Sequence, residues 1–381
     1  MKKVFKLLLC LCIGCTLIAL AGCNHGSAPQ QPKTYTITFN ANNDTNETVT
    51  QTFTEGIPQT LNTFESLGFS YKGHVFLGWS ILSISNTVTY SDGEEITVNN
   101  NFNLYAVWKF TGLKTGDEIN EILRKFPEAR YFKPASSPVS QPSYYLDDAE
   151  EIPVWYESNT KTIYYYSTTN ELILNPHSGY MFKDLRNLIE IDTTSFDTSN
   201  VTYMFRMFDG CESLNTLDVS NFDTSKVGNM GYMFNGCKLL TTLDVSNFDT
   251  SRVTFMAAMF ERCEALTTLD VSNFNTSRVF SMGSMFERCE ALTTLDVSNF
   301  NTSNVNLISG MFECCRALTA IYASEGTDWN KSKDCSSTGM FNGCSKLKGG
   351  NNTAYNEAHT DITYAKIDEG PSSPGYFTVK Q

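Results

Sequence analysis

The sequence predicts an α+β repeat protein, a small β domain followed by a capped solenoid of 26-residue coils. Three observations predict it. Met-Phe pairs recur at 181–182, 207–208, 233–234, 259–260, 285–286 and 311–312, a constant step of 26. Leu188, Leu214, Leu240, Leu266, Leu292 and Leu318 keep the same register, as do Phe196, Phe222, Phe248, Phe274 and Phe300. Ahead of these repeats, short stretches within residues 34–110 alternate apolar and polar side chains, the period of half-buried strands. Apolar residues at fixed phases of a strict period cannot be buried within one unit, so the units are expected to stack and share a core.

The chain begins with Lys2, Lys3 and Lys6, then an unbroken apolar run over residues 7–20, then Leu20-Ala21-Gly22-Cys23. A basic start, a short apolar run and small closing residues describe an export signal, too short for a comfortable membrane span. The closing tetrad is similar to the lipobox of bacterial lipoproteins. That resemblance implies removal of residues 1–22 and lipidation of Cys23, which two or more acyl chains would make a stable anchor. Residues 23–33 have no apolar pattern and read as a tether. The whole chain carries a formal net charge of −13 over 381 residues, with 28 Lys and Arg against 41 Asp and Glu. Losing three lysines leaves −16 after processing. An acidic surface argues against nucleic acid, because phosphate binding needs a basic patch. Four histidines leave little for a multi-histidine metal site.

In the β domain, Tyr35, Ile37 and Phe39 alternate with Thr36, Thr38 and Asn40. Asn42, Asn43 and Asp44 supply a turn, and Val49 to Phe53 form the expected returning strand. Residues 61–69 read as a short helix. Further strands are expected at 75–79, 88–90 and 102–108. The segments Thr34-Tyr-Thr-Ile-Thr-Phe-Asn40, Glu55-Gly56, Gly73-His-Val-Phe-Leu-Gly-Trp79, Tyr90-Ser-Asp-Gly93 and Leu104-Tyr-Ala-Val-Trp108 resemble the Listeria–Bacteroides repeat, the internalin B-repeat module. The resemblance implies a β-grasp-like fold on a bacterial surface, acting as a stalk or spacer. Residues 81–88 depart from that pattern with a longer Ser- and Asn-containing stretch. Trp79 and Trp108 sit inside strand patterns and are expected in the core.

Residues 111–180 are expected to cap the solenoid. Thr115-x-x-Glu118 opens a helix as a capping box, with Ile119, Ile122, Leu123 and Phe126 on one face and Pro127 ending it. Pairs such as Asp147-Asp148 read as a solvated loop. The coils span residues 181–348, with a three-residue insertion before Met340-Phe341, and residues 349–381 close the other end. Leu214, Leu217 and Val219 match the Leu-x-x-Leu-x-Val core of a leucine-rich repeat, where a short strand faces the concave side. Phe222, Val227, Met230, Met233 and Phe234 would fill the interior from turn and irregular or helical segments, methionine suiting uneven gaps. The full unit, L-x-x-L-D-V-S-N-F-[DN]-T-S-x-V-x-x-M-x-x-M-F-x-x-C-x-x-L, resembles the BspA-like leucine-rich-repeat surface proteins. Residues 152–156, 160–166 and 174–175 look like that family's N-terminal cap.

Two ladders invite chemical readings. Asp192, Asp218, Asp244, Asp270 and Asp296 share one phase, which suits either turn capping or a row of calcium sites with Asp197, Asp223 and Asp249. Turn capping is the favoured reading, and no metal site is assigned. Cys211, Cys237, Cys263, Cys289 and Cys315 share another phase with Leu185, which argues for buried small hydrophobes. Cys314 and Cys335 break the pattern and are the expected disulfide pair, if the protein has one.

No motif sets a nucleophile beside a base, so no catalytic residue or cofactor is assigned and no enzymatic activity is expected. Phases that vary between coils point outward. They carry Tyr203, Tyr232, Phe255 and Phe280, which are either protein-contact anchors or partly buried flank. The BspA-like resemblance implies adhesion to host matrix proteins or other cells, with the membrane reached through lipid at Cys23. A lipid-anchored, non-enzymatic surface protein presenting its repeats to a protein ligand is therefore expected, probing outward from the bacterial envelope. Two alternatives stay open: an envelope-assembly lipoprotein facing the periplasm, and carbohydrate capture by residues 34–110.

Overall fold

The computed structural model describes residues 31–43, 45–331 and 335–381. The expected signal segment 1–22, Cys23 and most of the tether lie outside the described residues. The chain divides into two compact units. One holds the described residues up to Ser70 with Leu77–Val107; the other holds Tyr71–Phe76 with Trp108–Gln381.

The first unit is built on an antiparallel pair, Thr34–Asn40 and Thr48–Thr54, in which Thr34 faces Thr54 and Asn40 faces Thr48. Alternation decides the faces: Ile37 and Phe39 are buried while the threonines between them look outward or sit at the margin. The strand Phe102–Phe110 lies parallel to the first, with Ile37 opposite Phe102, and His74–Ser80 completes the four-stranded sheet on its far side. Trp79 is fully buried edge-on against Phe39 at 4.9 Å, as its place in a strand pattern implies. The helix expected over 61–69 shortens to Phe64–Leu67, ended by Gly68 in the left-handed region at φ 72°. The strand expected at 88–90 reduces to one bridge, Trp79 to Tyr90.

The second unit starts with the helix Gly116–Leu123, whose capping box forms as the sequence requires. Glu118 donates its backbone N–H to the Thr115 hydroxyl, and the Glu118 carboxylate accepts from the Thr115 N–H at 2.9 Å. Asn120 donates to the carbonyls of Met181 and Lys183, so the helix satisfies polar backbone at the start of the repeats. Beside it stand Tyr131–Pro134, Tyr144–Tyr145, Pro153–Glu157, Thr162–Tyr165 and Glu190–Ile191 in a five-stranded sheet. Asp147 corrects the solvated-loop reading. It is buried, and its carboxylate accepts the N–H groups of Glu151 and Ile152, whereas Asp148 is exposed.

The repeats stack, but the expected α+β leucine-rich-repeat solenoid is overturned. The protein is mostly β, in several small sheets, and its only α-helices among the described residues are Phe64–Leu67 and Gly116–Leu123, both outside the repeats. The physical reason lies in where the backbone bonds go. Met204, Arg206, Phe208 and Gly210 donate their N–H groups to the carbonyls of Asn229, Gly231, Met233 and Asn235, one coil along rather than one helical turn back. Two left-handed residues per coil make this possible. One phase holds Tyr180, Arg206, Tyr232, Ala258, Ser284 and Gly310; the other holds Asp184, Gly210, Gly236, Arg262, Arg288 and Cys314. A left-handed residue every few positions breaks α-helical propagation. Nor does a continuous concave strand form. At this phase Glu190–Ile191 pairs as a strand at the start of the repeats, and Thr294–Asp296 lies parallel to Ala320–Ala323 and that to Phe377–Val379 at the finish, while the Leu-Asp segments between form no strand.

What holds the stack is a set of ladders. Phe182, Phe208, Phe234, Phe260, Phe286, Phe312 and Phe341 stack face to face at 5.5 to 5.8 Å. Each buried cysteine donates its thiol to the phenylalanine carbonyl of the coil before: Cys263 to Phe234 at 3.3 Å, Cys289 to Phe260 at 3.2 Å. Threonine hydroxyls bridge coils in the opposite sense, to the coil after: Thr224 to the Asp249 carbonyl and Thr250 to that of Asn275, each at 3.1 Å. At the far end Trp329 and Tyr376 cover the last rings, and buried Asp368 accepts from Asn351, Thr353 and Gly370.

Candidate functional site

The variable phase that includes Tyr203 and Phe255 has a definite structural role. His177, Tyr203, Asn229, Phe255, Ser281, Leu307 and Ser336 form one continuous line of parallel bridges, coil to coil. Side chains on this line project at the repeat spacing, so aromatics placed there meet. His177 and Tyr203 are 5.9 Å apart on the line, and Phe255 meets Phe280, which lies beside the line next to Ser281, at 5.6 Å. Tyr203 and Phe255 are half-buried, Tyr232 is half-buried, and Phe280 is 43% exposed. The partly buried flank is what the structure shows: each ring is packed on one side and open on the other.

Phe205 joins these residues into one row, and the sequence reading missed it. Its ring lies 5.8 Å from Tyr203, 5.5 Å from Tyr232 and 6.2 Å from Phe255. The signal was its phase, which otherwise carries the small residues Gly231, Ala257, Gly283 and Ser309. Those small residues make room for their neighbours. A Cβ on Gly231 would stand 2.4 Å from the Phe255 ring, and one on Gly179 would stand 2.8 Å from Tyr203. Arg206 lies over Tyr232 at 4.4 Å and over Phe205 at 5.3 Å, and is held by Asp209 at 3.1 Å. Burial, with Tyr180 nearby, pushes the Tyr203 phenol above its ordinary value, so it stays a neutral donor.

A second surface follows the Asp ladder. A groove of about 990 Å³ runs beside Asp192, Asp218, Asp244, Asp270 and Asp296, with Thr216, Thr242, Thr268 and Thr294 between them. The carboxylates cap turns. Asp218, Asp244, Asp270 and Asp296 each accept the backbone N–H of the serine two residues on, at 2.9 Å. The Ser220 hydroxyl and N–H hold Asp218 below the usual carboxylate range, and Ser246 does the same for Asp244. Lys380 closes one end on Asp296 at 2.5 Å, and Lys133 meets Glu190 at 2.8 Å at the other. Among the described residues, no group of three or more His, Cys, Asp or Glu has the geometry to hold a metal ion.

The remaining sequence-picked residues fall elsewhere. Cys314 and Cys335 are half-buried free thiols. Burial pushes the ladder thiols up, Cys344 to about 12. Each described histidine stacks on a tyrosine: His74 on Tyr71 at 3.8 Å, His359 on Tyr364 at 4.5 Å, and His177 tilted against Tyr203.

Comparison with known families agrees with the sequence resemblances in their coarse form. The Listeria-Bacteroides repeat domain matches residues 35–107. The family described as "Mycoplasma protein of unknown function, DUF285" matches residues 177–269 and 240–354. No curated protein and no solved structure matches the chain. The chain thus carries a Listeria-Bacteroides repeat domain followed by a DUF285 region, a pairing consistent with a BspA-like surface protein of bacteria.

Proposed function

We propose that this is a non-enzymatic binding protein of the bacterial surface, lipid-anchored through Cys23, whose repeats take a protein ligand. The ligand class is a host matrix protein or a protein of a neighbouring cell, and the contact surface is the aromatic row. The observation that carries the reading is the contiguity of Tyr203, Phe205, Tyr232, Phe255 and Phe280 with Arg206 among them. Tyrosine and arginine are the residues that dominate protein–protein contacts, and rings already packed on one side lose little freedom when a partner covers the other. The neighbouring coils supply gentle substitutions. Tyr232→Ala installs the residue that Ala258 already places at the same left-handed phase, and Phe255→Asn installs that of Asn229.

The test is a pull-down of the processed chain against matrix and bacterial-surface proteins, repeated with the Tyr232→Ala, Phe255→Asn variant. Capture by the parent and a loss of about thirtyfold in the variant is the expected result, matching roughly 2 kcal/mol for a hot-spot pair. Equal capture by both would remove the aromatic row from the function. Protease shaving of intact cells separates this reading from a periplasm-facing assembly protein, because only an outward-facing chain is cleaved.

A further inference from the structure

Residues 77–91 form a stretch of 15 without a formal charge, and this includes the 81–88 segment that departs from the repeat pattern. Apart from Trp79, its large apolar side chains are not buried. Ile81 and Leu82 are more than half exposed, and Ile84 is 96% exposed. Ile57, from a different turn, is also more than half exposed. Four large aliphatic side chains facing solvent within one small unit make a patch that needs a partner.

Sheet register places them together, at the end where the chain enters the fold. Thr34 pairs with Thr54, so Ile57, whose N–H bonds to the Thr54 carbonyl, follows directly at that end. Ile37 pairs with Phe102, and Asn101 accepts the Thr36 N–H at 2.8 Å. The Phe102 ring lies 6.3 Å from Tyr90, and Tyr90 bridges Trp79, where the 81–88 segment departs. Lys33, Ile57 and the 81–88 tip therefore share one end of the sheet. The charges there are paired: Lys33 meets Glu55 at 3.4 Å, and Glu55 also accepts from the Tyr35 hydroxyl at 2.8 Å. The tip also satisfies part of its own backbone. Leu82 and Thr87 donate to the hydroxyls of Ser80 and Ser85, and Ser85 donates to the Leu82 carbonyl.

We infer that this apolar end, with Ile57, Ile81, Leu82 and Ile84 as its wedge, inserts into the lipid surface beside the Cys23 anchor. The inference deepens the anchoring proposed above and rests on it for location. Cys23 precedes Thr34 by only 11 residues, a reach of at most about 40 Å fully extended. A lipid at Cys23 therefore keeps the end carrying the tip near the bilayer. The wedge brings no unpaired charge into the headgroup region, and aliphatic side chains at this depth gain from leaving water. Together, acyl chains and wedge would fix the tilt of the unit on the membrane, which one point of attachment does not.

The test uses the chain from residue 24 onward, which keeps every described residue and has neither signal nor anchor. Phosphatidylcholine vesicles at millimolar lipid are the partner. Ile84→Trp is compared with Asn42→Trp at the opposite end of the first strand, both in brominated and ordinary lipid. The expected result is a blue shift and bromine quenching at position 84 and neither at position 42. Binding measured by flotation should resist high salt and fall about tenfold or more with Ile81→Asn, Leu82→Asn and Ile84→Asn together. Unchanged emission at position 84, or equal quenching at both positions, would overturn the inference. So would tip-dependent dimerisation in sedimentation without vesicle binding, which would assign the patch to a second copy. Failure of the anchoring itself reads differently, as an unmodified Cys23 in the mass spectrum of the membrane fraction.

Discussion

Phe260→Ala should be among the most damaging single changes in the repeats, and its cost can be worked from the stack. Phe260 is fully buried between Phe234 at 5.7 Å and Phe286 at 5.8 Å, its ring within 9° of both planes. Moving a phenylalanine side chain from full burial into water forfeits about 1.5–3 kcal/mol. The stacked neighbours hold their own carbonyl bonds to cysteines and cannot collapse into the gap, so a cavity term brings the total to about 3–5 kcal/mol. Phe280→Ala is the matched control on the surface. It is 43% exposed, so a little over half of the transfer term is lost, and water fills the space, leaving about 1–1.5 kcal/mol. Urea unfolding followed by far-ultraviolet circular dichroism and by tryptophan fluorescence measures both, provided the two signals coincide. If Phe260→Ala costs no more than Phe280→Ala, the stacked rings do not hold the coils together and the argument fails.

Thiol chemistry gives a second prediction. At mildly alkaline pH the folded protein should react with a maleimide or iodoacetamide only at Cys314 and Cys335 among the described cysteines, and at Cys335 more slowly than an open thiol would, because burial pushes that thiol up as well. The other six are buried, and burial pushes their thiols above the ordinary range, so thiolate and access are both missing. Peptide mapping after a short pulse checks this, and modification of Cys263 or Cys289 in folded protein would refute it. A third prediction concerns pH. Burial raises the carboxyls of Asp209 and Glu261, the latter with help from Glu287, so both bind protons more readily folded than unfolded. Their contribution to stability is full below the unfolded value near about 4 and is lost as pH rises through the raised one. Asp218, Asp244 and Asp249 are lowered by their serine N–H and hydroxyl donors, so their contribution is present above about 4 and lost as pH falls through the folded value. The urea midpoint should therefore rise modestly from neutral pH into weak acid and then fall. Glu261→Gln should shrink the rise; an unchanged rise would rule out Glu261 as its source.

Local devices were legible residue by residue. The Thr115 capping box was written as Thr115-x-x-Glu118 and formed as written, because its partners are three residues apart and need nothing from elsewhere. The Asp ladder's turn-capping role was legible for the same reason, each acceptor being two residues from its donor. Asp147 was not. Its burial depends on the fold of residues 111–180 around it, and adjacent acidic residues look solvated in any sequence window. The aromatic row was half legible: the variable phases named Tyr203, Tyr232, Phe255 and Phe280. Phe205 escaped because it occupies a phase that is small in every other coil, and its neighbours come from three coils at once.

The sequence by itself determined the period. Every core slot must be refilled once per coil, so Leu, Met, Phe and Cys return every 26 residues and declare the stack. Only the tertiary structure decided what each coil is made of. A recurring apolar pattern is satisfied equally by helices, strands or turns, and the choice lies in the backbone. Residues as unlike as Tyr232, Ala258 and Ser284 share a left-handed conformation because their neighbours' N–H groups find carbonyls in the next coil. No side-chain pattern announces that exchange, and it turned an expected α+β solenoid into a mostly β protein of stacked turns.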